Sequence, residues 1–185
     1  TDIWSTADPN LREREGWLGR YFDSCCEGAD PGPDPIDGIA LTGEAPLAML
    51  GERFMPLAFE NADALSWRAG RRDPEAADVF ARLNNIDGDI PPADSENAHF
   101  LQRAALQALM GAQEIRSATS SLRGSRRGGR FGQSLAMVAR LIAADLPTRI
   151  YYVALGGFDT HSGQVGRHER LMRELGDGLQ DFFET

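Results

Sequence analysis

Thr148-Arg149-Ile150-Tyr151-Tyr152-Val153-Ala154-Leu155-Gly156-Gly157-Phe158-Asp159-Thr160-His161 decides the fold class of this chain. Ile150 to Leu155 is a near-continuous apolar run, rich in aromatic and β-branched residues, which is the pattern of a strand covered on both faces. The run predicts an inner strand from Arg149 to Leu155. Gly156 and Gly157 break it, and Asp159 and His161 follow in the loop. In open α/β sheets ligands bind beyond the carboxyl ends of the strands. Asp159 and His161 are therefore the candidate functional side chains.

The flanks read as helices. Phe131, Leu135, Val138, Ala139, Leu141 and Ile142 recur at spacings of three and four, and Pro147 stops that helix before the strand. Beyond the loop, Val165, Leu171, Met172, Leu175, Leu179, Phe182 and Phe183 form a second apolar stripe among Arg and Glu residues. Both stripes need a sheet to lie on, so residues 126–185 are expected to form a core helix-strand-helix unit. A crossover of this kind is half of a parallel βαβ arrangement, and a further strand is expected downstream.

Residues 31–125 carry weaker signals and are expected to be a mostly helical, loop-rich insertion. Pro31, Pro33 and Pro35 exclude helix or central strand from about Glu27 to Asp37. Pro46 to Leu57 and Ala62 to Trp67 are short mixed segments suited to a small accessory layer. Asp73-Pro74-Glu75 opens a short helix to about Asn84, and Asp94 or Ser95 caps a longer one from about Glu96 to Ser120.

At 185 residues and 42% hydrophobic, the chain can bury a sizeable core as one domain. The net charge of -9 argues against a nucleic-acid partner, because neutralising phosphates needs a clustered basic surface. Every one of the 19 basic residues is Arg. The densest group of them, Arg123, Arg126, Arg127 and Arg130 among Ser and Gly, reads as a flexible charged linker, with an anion or phosphate clamp as the alternative. No apolar segment is long enough for a membrane span. Cys25 and Cys26 are adjacent, so they cannot easily close a disulfide with each other; pairing elsewhere, metal binding and free thiols stay open.

Asp159 and His161 lie two apart, and in a glycine-loosened loop they can converge on one ion. A carboxylate with an imidazole suits Zn²⁺ or another divalent metal such as Mn²⁺, with Mg²⁺ or Ca²⁺ as further options. A hydrolytic centre needs three or more protein ligands, so others must join them. His168 reads as a solvated helix residue, although a place in the first turns of that helix would let it reach the ion, and His99 as a packing residue of the long helix. Asp159 and Ser162 can alternatively cap the helix beginning near Gly163. Thr160 and Ser162 are hydroxyls with no base beside them.

Ile3-Trp4 with Asp8-Pro9, then Gly16-Trp17-Leu18-Gly19-Arg20-Tyr21, and finally Gly132 to Gln164 with Gly156-Gly157-Phe158-Asp159-Thr160-His161-Ser162-Gly163-Gln164, resemble the domain-of-unknown-function family 1501. That family is the sulfatase-like branch of the alkaline phosphatase superfamily. The resemblance implies a partial doubly wound sheet with helices on both faces and a divalent-metal site at its carboxyl edge. It implies Asp159 and His161 as ligands, Gly156 and Gly157 as the close approach to the ion, and Gln164 beside the ester or a water. Superfamily members more often separate that Asp and His by three residues, whereas here only Thr160 intervenes.

The resemblance also implies an exported, twin-arginine-directed bacterial protein, periplasmic or extracellular, acting on a small-molecule or polymer ester. Residues 1–185 then form a single incomplete domain, an internal portion completed by N- and C-terminal segments of the same protein. The contrasting expectation is a non-catalytic periplasmic or surface binding protein that keeps the fold.

Overall fold

A computed structural model describes residues 2–9, 15–25, 33–61, 73, 75, 79, 111–112, 115–117, 127–159, 161 and 163–185. Four helices lie wholly among the described residues: α1 (Asp2–Thr6), α2 (Trp17–Cys25), α3 (Gly129–Ala143) and α4 (Gln164–Glu184). Three short strands, β1 (Gly38–Ala40), β2 (Leu57–Ala58) and β3 (Ile150–Tyr152), form one parallel sheet in the order β2-β1-β3. The fold is thus mixed helix and parallel sheet. Register pairs Ile39 with Leu57 on one side and with Tyr151 on the other.

Alternation along the strands divides the core in two. Ile39, Leu41, Phe59, Tyr151 and Val153 pack with Ile115, with Val138 and Leu141 of α3, and with Phe182 of α4. Ala40, Ala58, Ile150 and Tyr152 face Leu18 and Phe22 of α2, Met49 and Phe54. Helices therefore lie on both faces of the sheet, as the apolar run of β3 requires. The second layer owes its closeness to small residues in β1. A Cβ on Gly38 would sit 2.9 Å from both Met49 and Phe54, which leaves the Phe22 and Phe54 rings room to stack at 4.0 Å.

Two expectations change. The strand is shorter than Arg149 to Leu155, and β3 lies at the edge of the described sheet rather than inside it. An apolar run reports coverage of the two faces, and these are covered, but it does not report how many neighbours a strand has. The central strand is β1, which lies within the stretch expected to be an insertion, as does β2. Gly38-Ile39-Ala40 follows a capped 3-10 turn at Pro35–Asp37, where Asp34 and Asp37 satisfy each other's backbone. That cap redirects the proline-rich segment into the sheet.

α3 ends as Pro147 predicts, through a defined device. Asp145 takes a left-handed conformation (φ 56), its N–H bonding Ile142 and that of Leu146 bonding Leu141. This is a Schellman cap closed by the buried Leu141 and Leu146 side chains. On α4 the single apolar stripe divides: Leu171, Leu175 and Phe182 are half-buried, while Val165, Met172, Leu179 and Phe183 stand exposed. Helical residues at Glu75, Val79, Gly111, Ala112 and Ile115–Ser117 fall inside the two helices expected between Asp73 and Ser120. Asp73 accepts from the Glu75 N–H at 3.0 Å, as an N-cap does. The remainder of those two helices, Ala62 to Trp67 and His99 lie outside the described residues.

The block Gly16-Trp17-Leu18-Gly19-Arg20 is structural. A Cβ on Gly19 would fall on the backbone at Leu50 well inside contact distance, so α2 lies directly against the chain following the Leu47–Met49 turn. Asp23 locks the same junction by accepting from the N–H groups of Glu52, Arg53 and Phe54 at 2.7, 3.2 and 2.8 Å. Gly19→Ala is expected to cost about 3 kcal/mol, the upper end of overpacking, because the atom it strikes is backbone. Gly176→Ala, in α4 with open space around it, is expected to gain about 0.5–1 kcal/mol. Urea unfolding of the two variants checks this, and an unchanged midpoint for Gly19→Ala would remove the close-packing account.

Tyr151 supplies a pH test. Burial raises its phenol above the ordinary value near 10, opposed in part by the neighbouring Thr148 hydroxyl, and neither hydroxyl has a well-formed hydrogen bond. A raised folded pKa means the unfolded chain loses this proton first. The stabilisation is complete below the unfolded value and is lost as pH rises through the folded one. Thermal melts across the alkaline range are expected to fall less steeply for Tyr151→Phe than for the parent, and parallel curves would contradict the assignment.

Candidate functional site

Parallel strands deliver their following loops to one edge, and here that edge carries both groups of candidate residues. The loop after β3 begins with Val153 to Leu155 and turns at Gly157, whose φ of 95 is open to glycine. A Cβ at Gly157 would also come within 3.3 Å of the Arg167 guanidinium. A Cβ at Gly156 would meet nothing within 4 Å among the described residues.

Asp159 and His161 are brought together, with Oδ2 and Nε2 3.8 Å apart, and their side chains are 89% and 94% exposed. Thr160 and Ser162 lie outside the described residues. Two ligands about 2.1 Å from a tetrahedral ion stand about 3.4 Å from each other, somewhat closer than this pair. Among the described residues no group of three or more His, Cys, Asp or Glu side chains gathers here. Gln164 is exposed at the start of α4, and the helix is entered through Gly163 in a left-handed conformation with no side-chain cap. The alternative role of Asp159 as cap of this helix is therefore not taken up.

His168 departs from the expected solvated residue. It is half-buried, its Nε2 lies 2.9 Å from the Phe158 carbonyl oxygen, and its ring meets the Phe158 ring edge-on at 5.9 Å. Nε2 carries the proton in that bond, since a carbonyl only accepts. His168 thus ties the loop to the first turns of α4, one residue before Asp159. The signal was its position seven residues after His161, close enough for the helix to fold back on the loop.

A cavity of about 440 Å³ occupies the same sheet edge. Leu41, Thr42 and Gly43 follow β1, Glu60 and Asn61 follow β2, Ala154 follows β3, and Arg130, Phe131, Gln133 and Ser134 come from the first turns of α3. Sequence reading missed this constellation because its members come from four separate segments, none with a motif of its own. Arg130, expected in a charged linker, instead stands in the first turn of α3.

The opposite edge has a different character. Arg149 donates to the Cys25 sulfur at 3.3 Å and to the Tyr21 hydroxyl, with its guanidinium 5.3 Å from the Tyr21 ring centre. Its backbone N–H bonds the Asp37 carbonyl at 2.9 Å. This cluster fastens α2 to the entry of β3. Cys26 lies outside the described residues.

His168→Ala removes one hydrogen bond and one ring contact, worth about 1 kcal/mol locally. Faster amide hydrogen exchange is expected around Phe158 with little change in α3, and unchanged exchange in the loop would show that His168 does not restrain it. No family model, no curated protein and no solved structure matches this chain.

Proposed function

We propose that this chain contributes the carboxyl-edge loop of a metal-dependent hydrolase acting on phosphate or sulfate esters. The observation that carries the reading is the pairing of Asp159 with His161 beyond the end of a parallel strand, at a separation one ion can bridge. The donor types support it: a carboxylate and an imidazole are ligands that Zn²⁺ and Mn²⁺ accept. The resemblance to the sulfatase-like family 1501 supports it as well, since the same residues would be its ligands.

In this reading Asp159 and His161 would hold one divalent ion, which when bound would supply Lewis acidity toward an ester oxygen. His168 fixes the loop that carries them by its bond to Phe158. Gly156, with no described atom within 4 Å of where a Cβ would stand, would let the loop approach an ion. Gln164 stands beside the loop as a neutral donor and acceptor for the ester or a water. The remaining ligands and the nucleophile come from residues outside the described set or outside this chain, and an exported protein is the proposed setting.

The high exposure of Asp159 and His161 favours a second reading, a non-catalytic periplasmic or surface binding protein, because catalytic groups usually sit in clefts. One experiment separates the two. Asp159→Asn and His161→Ala are expected to lower Zn²⁺ or Mn²⁺ occupancy at least about 10-fold, whereas His168→Ala loosens the loop and changes occupancy less. Elemental analysis beside a thermal melt reads both effects. Full occupancy in Asp159→Asn would sink the hydrolase reading and leave the binding protein.

A further inference from the structure

We infer that the cavity enclosed by Thr42, Glu60, Arg130, Phe131, Gln133 and Ser134 is a binding site for a neutral, hydroxyl-rich ligand, a sugar ring or similar polyol. The inference concerns this cavity, not the Asp159–His161 pair, and does not require a metal.

Three observations support it. First, the cavity lies beyond the carboxyl ends of all three parallel strands, where α/β sheets bind ligands, and its volume of about 440 Å³ is that of a small-molecule site. Second, four of its polar side chains are uncommitted, while Thr42 donates to the Glu44 carbonyl. Among the described residues Glu60, Arg130, Gln133 and Ser134 make no hydrogen bond or ion pair, although the protein satisfies comparable groups elsewhere, as at Asp23. Third, the apolar part of the wall is Leu41, Phe131 and Ala154, and Phe131 is the residue that opens the buried face of α3.

The chemistry of the lining selects the ligand. Glu60 only accepts, Arg130 only donates, and Gln133 and Ser134 do both. One negative and one positive side chain leave the lining without net formal charge. An anion would meet the Glu60 carboxylate, and a cation would meet the Arg130 guanidinium. A hydroxyl group can donate to a carboxylate and accept from a guanidinium, and the charge of each strengthens the bond. The apolar wall of Leu41, Phe131 and Ala154 lies beside these groups for the C–H part of such a ligand.

The test is saturation-transfer NMR on the 185-residue chain with methyl β-D-glucopyranoside, methyl β-D-galactopyranoside and methyl α-D-mannopyranoside, each with and without EDTA. At least one glycoside is expected to bind with a Kd of about millimolar order, unchanged by the chelator. Glu60→Gln and Arg130→Ala should each weaken it about tenfold, and Glu169→Gln on exposed α4 should not. Glu60 and Arg130 are exposed, so the variants keep the fold, which their melts verify. No transfer to any of the three glycosides overturns the proposal, as does binding indifferent to both variants. Displacement by inorganic phosphate would identify an anion site instead. Because the chelator arm leaves the polyol site intact, loss of metal binding and loss of sugar binding are separate results.

Discussion

β1 is three residues long, has a strand on each side and a packed layer on each face, and everything else in the described fold is arranged to make that possible. Ile39 and Ala40 are wholly buried. A buried backbone must find all its hydrogen bonds within the protein. Parallel pairing to β2 and β3 supplies them, and it forces long returns of the chain between strands. The small side chains at Gly38 and Ala40 then draw Phe22, Met49 and Phe54 onto one face, while Ile39 anchors the other.

Parallel pairing also polarises the molecule. All three strands point to the same edge, so the loops that follow them converge there and build the cavity and the Asp159–His161 loop. The other edge receives the approach segments, and its polar cluster of Arg149, Tyr21 and Cys25 binds elements to one another. The glycine-rich opening block belongs with that structural role. Gly19 lets α2 contact backbone directly, and Asp23 ties down three consecutive amides of the segment leading into β2.

What the sequence made legible was whatever local periodicity encodes. The 3.6-residue pattern of α3, its stop before Pro147, the apolar run at β3 and the glycine break with Asp159 and His161 all follow from nearest-neighbour chemistry. Gly38-Ile39-Ala40 has no such signal: one Ile between Gly and Ala is too short a run to mark a strand, and only pairing with Leu57 and Tyr151, brought in from elsewhere, makes it the centre of the sheet. The cavity was hidden for the same reason. Glu60 and Arg130 are ordinary surface residues until two distant segments meet. His168 lay between these cases, since its helix was legible but the return of the loop onto it was not.

The two pairings of β1 differ greatly in what they ask of the unfolded chain. Ile39 meets Leu57 a short way along the sequence, whereas Gly38 meets Ile150 only after the chain from position 38 to position 150 has closed on itself. The entropy of closing a flexible loop of that length is about 4 kcal/mol, against about 2.6 kcal/mol for the shorter one. The β1–β2 half, with α2 locked onto it by Asp23, is thus the low-contact-order part of the molecule. The half bearing the Asp159 loop is held to it across a long sequence separation, which places the protein among the slower-folding topologies.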